Sequence, residues 1–297
     1  MENIEIIEVS PRDGIQNEKT ILDSQTKLTL IEMARDAGAA RIEVTSFVNP
    51  KRVPQMADAD EVATSLPRGT GQHIGLTLNQ RGFDRALAAG LDEANFVVVA
   101  SDTFNQKNQG ATTEQTIAAL RNIMAQPHPI RIGVTIAAAF GCPFEGEVPL
   151  DRMMQVVDAC VAVGPVEIAL ADTIGVATPR DVTTRVNAVR RAHPDMPIRL
   201  HLHNTRNTGI ANAWAGIEAG ARALDASFGG VGGCPFAPRA TGNIATEDLL
   251  YMLDRSGVKT GMDLDKSIAA AEWLQSQLGH TVPGMVMKAG GFPKIMA

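Results

Sequence analysis

Asp36-Ala37-Gly38-Ala39-Ala40-Arg41-Ile42-Glu43-Val44 ends one helical run and begins one apolar strand. The glycine follows a helical period, where a left-handed cap stops a helix, and the residues after it are β-prone. The phrase returns at Ala88-Ala89-Gly90 before Phe96 to Val99, and again around Gly164 and Gly220. Between these points, Leu28, Ile31 and Ala34, and Ile117 and Leu120, fall at the spacings of amphipathic helices.

Extended along the chain, this pattern predicts strands at Ile4–Val9, Arg41–Thr45, His73–Thr77, Ala94–Val99, Ile130–Ala137, Val166–Ala171, Ile198–Leu202 and Arg222–Ser227. Helices separate all of them, as in parallel βα units. No Pro- or Ser-rich linker interrupts the series, so residues 1–297 read as one catalytic domain. A barrel is expected over 1–257, and a C-terminal helix and tail over 258–297. Such a series in a chain of 297 residues fits a TIM (β/α)8 barrel with a short C-terminal helical extension. A doubly wound sheet is the competing topology, and it is weakened because no G-x-G-x-x-G follows the first strand.

Composition narrows the class. With 44% apolar residues, the chain can bury a large core without disulfides or structural zinc. A formal net charge of −6 argues against nucleic acid or an anionic membrane as the main partner. The apolar runs, such as Ala94 to Ala100 and Ile132 to Phe140, are far shorter than the roughly 18 residues that span a bilayer. The acidic start Met1-Glu2-Asn3-Ile4-Glu5 is unlike a secretory or transit peptide, and the last residues are not Ser-Lys-Leu. Cys142, Cys160 and Cys234 are odd in number and far apart, which suits reduced thiols and a cytoplasmic location. A homodimer is the expectation for a barrel of this kind.

The polar residues gather where the predicted strands end. Strand one leads into Ser10-Pro11-Arg12-Asp13-Gly14, strand two carries Glu43 and Ser46, and strand six runs into Asp172. Strand seven ends His201-Leu202-His203, and strand eight is followed by Gly229-Gly230-Val231-Gly232-Gly233-Cys234-Pro235 and then Asn243. In a barrel these are all C-terminal strand ends, where such enzymes build their sites. His201 and His203 share one face of a strand, and closure of strand eight on strand one brings Asp13 beside them. Asn243 could add an oxygen. An Asp–His–His–Asn set with spare positions suits six-coordinate Mg²⁺ or Mn²⁺ better than the thiolate-rich sites of structural zinc.

Other residues keep two readings. Asp13 alone could cap a helix, with Arg12 as its ion-pair partner. Glu43 inside an apolar strand needs a partner, and Arg12 is the candidate. Asp172 could cap the helix beginning near Thr178-Pro179, bind the metal or act as a base. The Gly-rich run is either a tight turn or a hinge carrying Cys234, a potential proton donor, over the barrel mouth. Cys142 and Cys160 read as core residues. Lys19, Lys51, Lys107 and Arg239 would rim the mouth, where an anionic substrate could meet them.

At this point the chain resembles the hydroxymethylglutaryl-CoA lyase family of metal-dependent TIM-barrel lyases and synthases. The matching text is Ser10 to Glu18, Glu43-Val44-Thr45-Ser46-Phe47-Val48, Val53-Pro54-Gln55-Met56-Ala57-Asp58, Gly141-Cys142-Pro143-Phe144-Glu145-Gly146, Asp172-Thr173-Ile174-Gly175-Val176, Gly230 to Pro235 and Gly242 to Asp248. The resemblance implies Asp13, His201, His203 and Asn243 as metal ligands and Arg12 as the group facing a thioester oxygen. It implies Glu43 and Asp172 as site carboxylates, and Cys234 as the loop cysteine of the lyase signature. Gln16, Lys19, Ser46, Lys107 and Asn108 are the expected contacts of coenzyme A, carried by the acyl-CoA substrate.

The implied reaction is a retro-Claisen cleavage of a 3-hydroxy-dicarboxylyl-CoA to an acyl-CoA and an oxo acid. Asp172 or His201 would take the hydroxyl proton, and Cys234 or His201 would return one. A condensing synthase of the same superfamily and a non-catalytic acyl-CoA-binding relative are the alternatives. One departure stands out. Family lyases read roughly H-x-H-D-T-Y-G-Q after strand seven, whereas this chain reads His201-Leu202-His203-Asn204-Thr205-Arg206-Asn207-Thr208. The altered residues imply a different acyl group, of citramalyl or methylmalyl type.

Overall fold

The structure, a computed structural model, describes residues 3–233 and 242–293. Its strands are β1 (Glu5–Glu8), β2 (Arg41–Ser46), β3 (Gln72–Thr77), β4 (Glu93–Val99), β5 (Arg131–Ala137), β6 (Ile168–Asp172), β7 (Ile198–Leu202) and β8 (Ala223–Ala226). They hydrogen-bond in chain order and in parallel, and β8 closes on β1 through the pairs Glu5↔Ala223 to Glu8↔Ala226. Closure rules out the doubly wound alternative, and each strand lies where the sequence pattern puts it, to within two residues at its ends.

Helices α1 (Ser24–Asp36), α2 (Ala59–Ser65), α3 (Gln80–Ala88), α4 (Asp102–Gln109), α5 (Thr113–Met124), α6 (Leu150–Val161), α7 (Pro179–Ala192) and α8 (Gly209–Ala219) lie between successive strands. The stretch after β8 adds α9 (Thr246–Arg255) and α10 (Leu264–Leu278). Their starts obey local chemistry. Asp23, Asn79, Ser101 and Asp263 cap α1, α3, α4 and α10, while Thr112 with Gln115 and Thr178 with Asp181 form reciprocal capping boxes. At Gly220, φ is 109°, which lets the chain turn sharply from α8 into β8. No helix among the described residues is long and apolar enough to cross a membrane.

Two features were not legible in the strand–helix rhythm. Helix α4 is inserted between β4 and α5, and a two-stranded hairpin, Gly141–Cys142 with Gly146–Glu147, follows β5. After α10 the tail folds back, and Gly284 donates to the Gly229 carbonyl at the root of the glycine run (2.8 Å).

The apolar core fills the ring between strands and helices. Inside the barrel, Ile7, Val9, Ile74 and Ala223 form a small separate cluster. The interior also holds charged residues: Arg41, Glu93, Glu167, Arg199 and Asp225 are all buried. A β-bulge where β2 meets β3, between Glu43 and Thr45, shifts the strand by one residue. Residues three apart on a regular strand point to opposite faces; the bulge instead brings Glu43 and Ser46 to the same side of the barrel mouth.

Candidate active site

The site begins with the turn after β1. Arg12 and Gly14 both donate to the Val9 carbonyl (3.1 Å each), a wide turn of the kind often found at functional sites. It aims Arg12 and Asp13 across the top of the barrel. The Arg12 guanidinium contacts the Asp13 carboxylate on one side. On the other, its Nε donates to Glu43 Oε2 at 2.7 Å. Asn95 on β4 holds Glu43 Oε1 (2.8 Å), and Thr135 on β5 holds Asn95 (2.8 Å). Glu43 is thus a paired strand carboxylate, and Arg12 a cation fixed before any substrate arrives.

Asp13 Oδ2 lies 3.7 Å from His201 Nε2 and 4.0 Å from His203 Nε2, and the two Nε2 atoms are 3.1 Å apart. Each of the three residues offers one ligand atom within 4.8 Å of the others, as a metal ion requires. Asn243 adjoins them: its Nδ2 donates to Asp13 Oδ2 (2.8 Å) and to the Val231 carbonyl (3.0 Å). Asn243 Oδ1 is buried and has no hydrogen-bond partner among the described residues. A cation is a natural partner for such an orphaned oxygen, so the donor set fits a divalent ion.

Electrostatics keeps two of the candidate ligands, Asp13 and His203, in binding form. Burial alone would raise the Asp13 carboxyl, but Arg12 and the two histidines hold it well below the usual range. Burial, and then the neighbouring His201, press His203 down to about 4, so its ring is neutral and its lone pair free. His201 goes the other way. Burial opposes its charge, yet the hydrogen bond from Nδ1 to Asp225 (2.9 Å) and the charge of Asp13 raise it. That bond fixes the ring with Nε2 turned toward Asp13. Asp225 was not anticipated from the sequence; the signal was a carboxylate inside an otherwise apolar strand, register-paired with His201.

Asp172 takes a different place. Both its oxygens accept backbone N–H bonds, from Val176 and Ala177 (2.9 Å each), so it shapes the loop before α7. Burial raises its carboxyl, and those two amides act against the shift. It does not line the cavity over the site; its neighbours Ala171 and Thr173 do.

That cavity has a volume of about 880 Å³, and Arg12, Asp13, His201 and His203 sit on its wall. Gln16, held by Ser46 Oγ (3.0 Å), and Asn108 also line it. Lys19 and Lys107 are exposed and do not; Lys107 Nζ instead lies 5.0 Å over the Phe144 ring. The cations on the wall beside Arg12 are Lys51, Arg52, Arg81 and Arg85. Arg52 is tied to the carbonyls of Lys107 and Asn108, and Arg85 to Asp60. Sequence reasoning found Lys51 but missed its neighbour Arg52 and also Arg81 and Arg85, because α3 gives no sign in one dimension that its first turns face the mouth.

The altered residues after β7 are also off the wall. Asn204 Oδ1 accepts from the Gly209 amide (2.9 Å), Thr208 donates to the Ala177 carbonyl (3.1 Å), and Arg206 donates to the carbonyls of Ile174 and Gly175 (3.1 and 2.8 Å). Arg206 and Thr208 brace the loop after β6 and Asn204 the start of α8, rather than facing the cavity. On the opposite side, Gly232 has φ 123°, and a Cβ there would collide with Asn243 Nδ2. Asn17 Nδ2 donates to the Gly233 carbonyl (2.6 Å). The glycine run therefore rests on the candidate ligands themselves. Cys234 and Arg239 lie outside the described residues.

Known proteins are similar to this chain along nearly its whole length. The chain is 44% identical to an (R)-citramalyl-CoA lyase of Chloroflexus aurantiacus, over 100% of this chain and 98% of that one. It is 38% identical to a hydroxymethylglutaryl-CoA lyase of Bacillus subtilis, over 94% and 95%. A solved HMG-CoA lyase of Acinetobacter baumannii, in complex with coenzyme A and 3-methylmalate, superposes with a TM-score of 0.95 at 40% identity, covering 99% and 97%. The HMGL-like family profile matches residues 3–274, a span that holds every strand of the barrel and every candidate ligand, and the chain belongs to the HMGL-like family.

Proposed function

We propose that the chain is an acyl-CoA carbon–carbon lyase that cleaves a five-carbon 3-hydroxy-diacid thioester of citramalyl or methylmalyl type. One observation carries the reading: a fixed cation, Arg12, beside a three-residue group that could hold a divalent metal, on the wall of a cavity of about 880 Å³. The oxygen and imidazole donors suit Mg²⁺ or Mn²⁺. When bound, such an ion would acidify and orient the substrate hydroxyl.

The protein's own groups account for the rest. The hydroxyl proton leaves, the bond between C2 and C3 breaks, and its electron pair moves onto the thioester oxygen. Arg12, held by Glu43, supplies standing positive charge to that oxygen as it becomes an enolate. A proton added at C2 then gives the acyl-CoA. Of the two candidate bases, Asp172 does not line the cavity; His201 does, but with Nδ1 on Asp225 and Nε2 in the ligand group it has no nitrogen free to take the proton while it holds an ion. Cys234 remains the candidate donor from the glycine run.

Two lines support the five-carbon acyl group. Identity is higher to the citramalyl-CoA lyase than to the B. subtilis hydroxymethylglutaryl-CoA lyase. The A. baumannii relative also binds 3-methylmalate, a five-carbon hydroxy diacid. A metal-supplemented assay of hydroxymethylglutaryl-, citramalyl- and 3-methylmalyl-CoA tests the proposal. The expected result is a five-carbon kcat/KM at least about tenfold above that for hydroxymethylglutaryl-CoA, the usual worth of one methylene. Acetyl-CoA with pyruvate marks citramalyl chemistry, and propionyl-CoA with glyoxylate marks methylmalyl. Preference for hydroxymethylglutaryl-CoA would reject the acyl assignment, and no cleavage of any thioester would reject the lyase.

A further inference from the structure

Behind the metal-ligand group lies a row of buried charges that meets the cavity only at Asp225. Arg199 precedes His201 by two residues on β7, so both side chains point into the barrel. Only 1% of Arg199 is exposed, and it does not line the cavity. Its Nε and one terminal nitrogen grip the two oxygens of Asp225 at 2.5 and 2.9 Å, while the other terminal nitrogen reaches Glu167 Oε1 at 3.3 Å. Asp225 Oδ2 then accepts from His201 Nδ1 at 2.9 Å. Glu167 is held in turn by Arg41 (2.5 and 3.1 Å), which also binds Glu93 (2.6 Å) and Glu5 (3.1 Å) near the N-terminal end of the barrel.

Packing alone does not explain this row. Barrel interiors are usually filled by branched apolar residues, and replacing buried ion pairs with such residues is often neutral or stabilising. What the ions do supply is direction. A carboxylate gripped on both oxygens by a planar fork has one orientation, and through it His201 has one ring plane and one tautomer.

We infer that Arg199 is a positioning residue for the metal centre: by fixing Asp225 it holds His201 Nε2 toward Asp13 and His203. The role rests on the proposed metal centre and needs no particular thioester. Outer partners of metal-bound histidines typically change metal affinity by about 10- to 100-fold.

The test is Mn²⁺ binding to the chelator-stripped full chain, read from the free ion by electron paramagnetic resonance with no thioester present. Arg199→Lys keeps the charge and loses the fork; its Mn²⁺ affinity is expected to fall by about tenfold or more. Should that variant fail to fold, the double change Arg199→Gln with Glu167→Gln removes one charge of each sign and is expected to show the same loss. Glu93→Gln breaks the row at its far end and is expected to lower the melting temperature while leaving Mn²⁺ affinity within about twofold. Unchanged affinity in the Arg199 variants overturns the inference, as does an equal loss in Glu93→Gln, since the effect would then be general loosening. If the unaltered protein binds no Mn²⁺, the metal centre fails and Arg199's role fails with it.

Discussion

Arg12 owes its usefulness to what surrounds it. A cation lying between Asp13 and Glu43 is partly neutralised, yet it is also immobile, so no side-chain reorganisation is needed when charge appears on the substrate. The pairing also explains why Glu43 sits inside a strand, where an unpaired carboxylate would be costly. Arg12→Gln can keep a hydrogen bond to Glu43 while losing the charge. It is expected to lower kcat by roughly a hundred- to a thousandfold, the usual effect of deleting one oxyanion donor. Steady-state kinetics at saturating metal checks this, and an unchanged kcat would remove Arg12 from the chemistry.

At the level of elements, the join between β1, the glycine run and α9 is built on two buried acids. Glu8 accepts from the Ser10 and Phe228 amides (2.8 and 3.2 Å) and from Thr246 (2.6 Å). Glu247 accepts from the Gly229 amide (3.1 Å), and its other oxygen has no partner among the described residues. Burial pushes Glu8 up to about 7 and Glu247 up to about 8. Above the ordinary value of 4.5, the folded chain therefore keeps protons that the unfolded chain has lost. Their contribution to stability is complete below that value and is lost as pH rises through about 7 and 8. Glu247→Gln cannot ionise, so its melting temperature should gain on that of the unaltered protein from about pH 5 to about pH 8.5. Scanning calorimetry across that range is the check; a constant difference would mean that the folded chain does not hold the Glu247 proton above the ordinary value of 4.5.

The same elements show why part of the site could be read in the sequence. Arg12, Asp13, His201 and His203 stand at strand ends, and barrel closure is enough to bring them together. Asp225 and Arg199 depend on register between strands, and Asp172 on where its loop turns, none of which residue spacing reveals. Of the family phrase Val53 to Asp58, only Val53 lines the cavity, and Gln55 is scaffolding. Gln55 holds Leu22, Thr20 and Ile15 by three hydrogen bonds (3.0, 2.9 and 3.3 Å), fixing the segment that leaves the catalytic turn.

Across the whole molecule, a net charge of −6 gives no general attraction for the phosphates of coenzyme A. The cavity wall must therefore supply local positive charge, and its cations are not equivalent. Arg85 is paired with Asp60 and Arg52 is tied to two carbonyls, whereas Lys51 and Arg81 have no ion-pair or hydrogen-bond partner for their charged groups among the described residues. Lys51 and Arg81 are thus the pair expected to meet the phosphates. Exposed attraction of this kind is screened over about 8 Å at physiological salt, so KM for the thioester should rise with ionic strength. Lys51→Ala and Arg81→Ala should each raise KM several-fold, leave kcat nearly unchanged, and flatten that salt dependence. A fall in kcat with unaltered KM would place these residues in the chemical step instead, and equal salt dependence in variant and parent would assign the phosphates to other cations.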